Sequence, residues 1–197
     1  LKSFKLITTF FSLWFAVYFT ENTEDYFAFL LILSLGILHG ANDLKLIEKI
    51  TKISDKNQLY KIIALYLCSI TIGILTPPLA YHFGQEHFEK YQLPTSWKNN
   101  LFVAAYGLLI LLMLFKINSS QSLNVINEIV SMNITEQQLY YALLATCVIL
   151  VTTGAYQLRG LPLKTIAKEL LYLAVIFIIF NTSSLLWGFA IYFILWH

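Results

Sequence analysis

The sequence predicts an all-α protein, a polytopic transmembrane helix bundle with about six or seven membrane segments, one of them (residues 60–81) re-entrant. Three observations predict it. Hydrophobic residues make up 58% of the chain and charged residues only 12%, whereas a soluble domain carries about 25% charge. The apolar residues form continuous runs that approach the length of about twenty needed to cross a bilayer. Those runs do not alternate with polar residues, which argues for helices over barrel strands. A net charge of +2 with no basic stripe argues against a nucleic-acid partner. Cys68 and Cys147 both lie in apolar stretches and read as small core residues, not as a disulfide or a thiolate site.

The first run, Phe4 to Thr20, opens beside Lys2 and Lys5. No small-x-small cleavage pattern follows it, so it reads as a retained helix and not a signal peptide. The segment Glu21 to Asp25 is a short acidic connection to the second run, Tyr26 to Ala41. A lysine-rich loop follows, Asn42 to Leu59, facing solvent and lipid headgroups. The third run, Tyr60 to Thr76, ends at Pro77-Pro78. The segment HFGQEH begins at His82, and the runs Leu101 to Ile117 and Leu139 to Leu158 come next. Two shorter runs close the chain, Leu170 to Phe180 and Leu185 to His197, separated by a turn at Asn181 to Ser184. The chain opens on Leu and stops at a histidine inside a helical pattern. Residues 1–197 therefore read as one transmembrane domain with cut ends.

Lysine and arginine set the orientation, because cytoplasmic loops carry the excess of both. Lys2 and Lys5, and then Lys45, Lys49, Lys52, Lys56 and Lys61, place the N-terminus and the 42–60 loop in the cytoplasm. If Tyr60 to Thr76 crosses fully, Lys90, Lys98, Arg159, Lys164 and Lys168 all fall outside. If it dips in and returns, breaking at Gly73, Pro77 and Pro78, only Lys116 falls outside. The dipping arrangement obeys the charge rule better. It also brings His39, His82 and His197 to the cytoplasmic ends of their segments.

Those histidines carry the functional argument. Imidazole is costly beside lipid, so an intramembrane histidine is a functional candidate by default, and imidazole suits Fe, Zn and Cu. His39, His82 and His197 are the candidate metal ligands. His39 and Asp43 are spaced i, i+4, and so are His82 and Glu86, which puts each pair on one helix face. A ligating histidine gives its other N–H to a carboxylate or carbonyl. Asp43 and Glu86 are therefore partners of the ligands or alternative ligands. His87 is a further alternative, but five residues turn a helix by about 140°, so His82 and His87 cannot both face one ion. His82 is preferred. Each histidine alone is equally an interfacial polar residue. Gly40 and Gly84 are equally small packing residues. Trp187, Phe189, Tyr192, Phe193 and Trp196 either line a substrate tunnel or face the core or lipid. Glu169 reads as an interfacial acid.

Three motifs then resemble one family. His39-Gly40-Ala41-Asn42-Asp43 resembles the H-G-A-x-D motif of the Brp/Blh family of membrane β-carotene 15,15′-dioxygenases. His82-Phe83-Gly84 resembles its H-F-G motif. Phe189 to Phe193, ending in Trp196-His197, resembles its third motif, and Glu169-Leu170 falls where that family often has Glu-Leu. The resemblance implies oxidative cleavage of β-carotene by O₂ at the central 15,15′ double bond to give retinal. It implies Fe(II) held by His39, His82 and His197, with the family's fourth histidine falling beyond residue 197, and a microbial rhodopsin as retinal acceptor. It places the protein in the cell (inner) membrane, multi-pass, with the metal site toward the cytoplasm. Between the first two motifs this chain has one apolar run where the family has sequence enough for two. Two other readings of the residues remain: a non-catalytic membrane protein that carries metal or haem, and a small transporter with a histidine proton relay.

Overall fold

A run of apolar side chains in an apolar setting leaves the backbone no partner but itself, and the helix satisfies every interior N–H and C=O. The computed structural model describes residues 2–36, 77–93, 96–130 and 133–196, and among them every regular element is a helix. Helix α1 is Lys2–Tyr18. Helix α2 is Glu21–Leu31 and continues as a π-helical segment, Ile32–Gly36. Helix α3 is Pro77–Phe88, followed by a 3₁₀ turn, Glu89–Tyr91. Helices α4, α5, α6 and α7 are Trp97–Ile117, Ser119–Val130, Glu136–Gln157 and Leu163–Thr182. Helix α8 is Leu185–Ala190 and also runs on as a π-helical segment, Ile191–Trp196.

The starts follow local chemistry. Ser96 accepts from the Asn99 N–H to open α4, and Thr135 with Gln138 forms a capping box for α6. Pro77 sits at the first position of α3, where its missing N–H costs nothing. The acids Glu21, Glu24 and Asp25, expected in a loop, are instead helical, and Glu21 and Glu24 lie in the first turn of α2, where the helix dipole favours them. The segment ahead of Leu170 is likewise helical, so α7 begins at Leu163. Helix α5, in a stretch with no long apolar run, is amphipathic: Ser122 and Ile126 are buried while Val125 is exposed.

Neighbouring helices pack as antiparallel pairs. Gly107 of α4 meets Ala80 of α3, and Gly84 meets Val103. Gly154 of α6 meets Phe102 of α4, and Lys116 pairs with Glu136 at the opposite end. Phe180 of α7 contacts Gly188 and Tyr192. Those residues lie eight and twelve positions further on, so the chain turns back at Ser183-Ser184. The expected turn at Asn181 to Ser184 is therefore present. Helices α2 and α8 start side by side: the Ser184 N–H donates to Glu24 at 2.6 Å and the Ser184 hydroxyl to Asp25 at 2.6 Å. Trp187 lies at the centre of the core, 1% exposed and stacked on Phe15 at 4.6 Å.

Of the six or seven membrane segments expected, two helices among the described residues are long and apolar enough to cross a membrane, α4 and α6. Helix α4 is the central one, with 44% of its apolar window buried, whereas α6 has only 17% buried. Most of the apolar window of α6 therefore lies outside the protein core. Helix α7 is divided: Lys164, Lys168 and Glu169 occupy its first two turns, and its apolar stretch starts at Leu170. The re-entrant segment 60–81 and the loop 42–60 lie outside the described residues, apart from the start of α3.

Candidate functional site

Helix α3 carries three of the residues singled out by the sequence: His82, Glu86 and His87. Two glycines set how closely it approaches α4. A Cβ at Gly84 would lie 1.9 Å from the Val103 carbonyl oxygen, and one at Gly107 would lie 1.8 Å from that of Ala80. Backbone meets backbone there, and only glycine permits it. Gly84 is thus a packing residue. With that face against α4, His82 and Glu86 are exposed while His87 is half-buried between α4 and α7. The two histidines point in different directions, as their spacing on a regular helix demands.

His87 belongs to a polar cluster that joins three helices. Its ring stacks on Tyr106 of α4 at 4.6 Å and meets Tyr172 of α7 edge-on at 6.2 Å. Its Nε2 lies 2.5 Å from Oε2 of Glu169 and 3.1 Å from the Tyr106 hydroxyl. Oε1 of Glu169 accepts from the Tyr91 hydroxyl and from Lys90 Nζ at 3.2 Å. Glu169, read from the sequence as an interfacial acid, is only 5% exposed. It lies before the apolar stretch of α7. Burial pushes its carboxyl up, but the hydrogen bonds from His87 and Tyr91, and the charges of His87 and Lys90, outweigh this and lower it to about 2. An ionised carboxylate only accepts, so His87 Nε2 carries the proton, and the Tyr106 oxygen shares it. Burial, and then the hydrogen bond to Glu169, push the Tyr91 phenol well above its usual value.

A pH dependence follows. The Glu169 carboxyl titrates below the ordinary 4.5. Its contribution to stability is therefore complete above about pH 4.5 and falls away as pH drops toward 2. In detergent, the melting temperature of wild type should exceed that of Glu169→Gln at pH 7, and the gap should close between pH 4.5 and 2. A gap unchanged across that range would contradict this account.

The candidate histidine centre is approached from two sides. The π-helical segments that follow α2 and α8 touch each other, and π-helical turns are concentrated at functional sites. Phe83, next to His82, packs on Tyr192 at 5.5 Å and on Phe193 at 6.1 Å. His39, Asp43 and His197 lie outside the described residues. Among the described residues, no three His, Cys, Asp or Glu side chains gather as a metal site would require. Of the tunnel candidates, Trp187 and Tyr192 are buried core residues. Phe189 and Phe193 are half-buried and stacked in parallel at 5.5 Å. The Trp196 side chain is outside the described set.

The model of the beta-carotene 15,15′-dioxygenase family matches residues 79–197, more than half of the chain. The chain belongs to that family. No curated protein and no solved structure matches it. As a member of the beta-carotene 15,15′-dioxygenase family, the chain carries His82, Gly84, the polar cluster and α4 through α8 inside the matched stretch. His39 to Asp43 precede it.

The Glu169 cluster and the Glu24–Ser184 contact were not found from the sequence. The first joins residues 82 positions apart and the second joins residues 160 apart. No local spacing rule links such residues. The available signal was that Glu169 and His87 are ionisable residues next to apolar runs, and such residues need partners.

Proposed function

We propose that this protein is a multi-pass membrane dioxygenase that uses Fe(II), held by His39, His82 and His197, to cleave β-carotene with O₂. The C15=C15′ bond breaks and each of its carbons becomes the aldehyde of one retinal. The observation that carries this reading is the contact between the two π-helical segments, together with the aromatic packing of the second of them on Phe83 of the helix bearing His82. One segment ends at Gly36, three residues before His39, and the other at Trp196, next to His197. A set of imidazole donors fits iron.

When bound, Fe(II) with open coordination positions supplies the binding and activation of O₂. The protein's own residues hold and place the substrate. β-Carotene offers no hydrogen-bonding group, so its surroundings must be apolar and shaped. Phe189 and Phe193 present a stacked, half-buried pair beside Phe83, one residue from His82. Asp43 and Glu86, four positions after their histidines in sequence, are the residues assigned to orienting imidazole rings. The membrane supplies both substrates, since carotene and O₂ concentrate in lipid. Lys90, Lys98, Arg159 and Lys168 share one end of the bundle, and the excess of basic residues in cytoplasmic loops supports assigning that end to the cytoplasm. A microbial rhodopsin is the proposed acceptor of the retinal.

The test is direct. Carotene-producing cells that express the full-length protein, supplied with iron, should lose their orange colour and accumulate retinal. Unchanged colour and no retinal, with the protein present in the membrane, would refute the reading. A Soret band on the purified protein would support haem carriage in its place.

A further inference from the structure

The α7–α8 hairpin touches α3 at two places. At one, Tyr192 and Phe193 lie on Phe83. At the other, Glu169 holds His87. These points are four residues apart on α3, about one turn, and His82 adjoins the first. The first contact is aromatic and non-directional. The second is a charge-assisted hydrogen bond to a buried carboxylate, whose other oxygen is held by Tyr91 and Lys90 from the turn that ends α3. Helix α3 is therefore held on its α4 side by the pair of close glycines and by the Tyr81–Asn100 and His87–Tyr106 hydrogen bonds, and on its α7 side by the one charge-assisted contact of His87 with Glu169.

We infer that Glu169 is a positioning residue for the histidine centre: through His87 it fixes the roll of α3 and so the direction of the His82 imidazole. This rests on the proposed metal-binding role of His82. Magnitudes favour it. A roll of about 20° moves an atom about 6 Å from the helix axis by about 2 Å. Metal–ligand distances tolerate only about 0.2 Å. A contact that left the helix folded but free to roll would be enough to disturb the site. Gln at position 169 keeps the size and one acceptor but removes the charge that draws in the His87 N–H, so the fold should survive while the grip loosens.

Two measurements on the full-length protein in detergent test this. The first needs no metal. Spin labels are placed at Gln85 of α3 and Leu186 of α8, both exposed, with Cys68 and Cys147 replaced by serine. Glu169→Gln should broaden the distance distribution relative to wild type, and His87→Gln should broaden it equally. An unchanged distribution in Glu169→Gln overturns the inference whatever the protein binds. The second uses Co(II) as the probe, read by its visible spectrum. Glu169→Gln and His87→Gln should each keep the stoichiometry, weaken affinity about tenfold and change the spectrum. The double variant should be no weaker than either single one, because the two act as a unit. Additive losses, or a wild-type spectrum in Glu169→Gln, overturn the positioning role. Wild-type protein that binds no Co(II) refutes the metal reading instead, and the label distances still decide whether Glu169 fixes α3.

Discussion

Gly107→Ala should prevent the protein from reaching its folded, active state. The added methyl would lie 1.8 Å from the Ala80 carbonyl oxygen and the helix backbones would have to part. No rotamer change relieves a clash between a Cβ and a main-chain oxygen. Overpacking a core usually costs about 1–3 kcal/mol, and this case belongs at or above the upper end because the neighbour is backbone. Helix α4 is the hub of the bundle, meeting α3, α6, α7 and α8, so separating it from α3 disturbs the cluster at His87 and the face carrying His82 together. Folded yield in detergent and melting temperature measure the effect. Gly160→Ala is the control, because nothing lies within 4 Å of a Cβ there. Equal behaviour of the two variants would mean that the close approach of α3 and α4 does not occur.

His82→Ala should keep the fold and lose the chemistry. The side chain is exposed, so removing it leaves no cavity in the core, and the change in melting temperature should be small. A residue that only orients a metal ligand is worth about 10–100-fold in metal affinity. Loss of a ligand itself should exceed that, lowering bound iron and retinal formation by more than about a hundredfold. A His82→Ala protein with full iron content would take His82 out of the ligand set. One with no iron but normal cleavage would separate the metal from the reaction.

The helical class, the close of the chain as a hairpin and the packing role available to Gly84 were all legible in the sequence, because each depends on a local pattern. The continuous apolar runs could take no other regular form, and the polar stretch Asn181 to Ser184 holds the point where the helix stops, after Thr182. Boundaries were less legible. Glu21 to Asp25 looked like a loop because it is acidic, yet acids suit a helix start, and here they also cap α8. Helix α5 went unseen because it lies in a stretch with no long apolar run. The count of membrane segments was read from runs, but Lys164, Lys168 and Glu169 share a helix with the run that begins at Leu170. Within the site, His82 stood out by its motif. Glu169 did not, since its partner is remote in sequence, and its burial depends on how α7 lies against α3. The direction in which His87 points was legible from its offset from His82; what it points at was not.

The central claim is that imidazoles from residues 39, 82 and 197 hold one iron. Iron-edge X-ray absorption on the purified, iron-loaded full-length protein tests it most directly, because imidazole rings leave their own scattering pattern around the metal. The account predicts at least three imidazole ligands in wild type, and one fewer in any His82→Ala protein that retains iron. Iron surrounded only by oxygen, or a ligand shell untouched by His82→Ala, would contradict it.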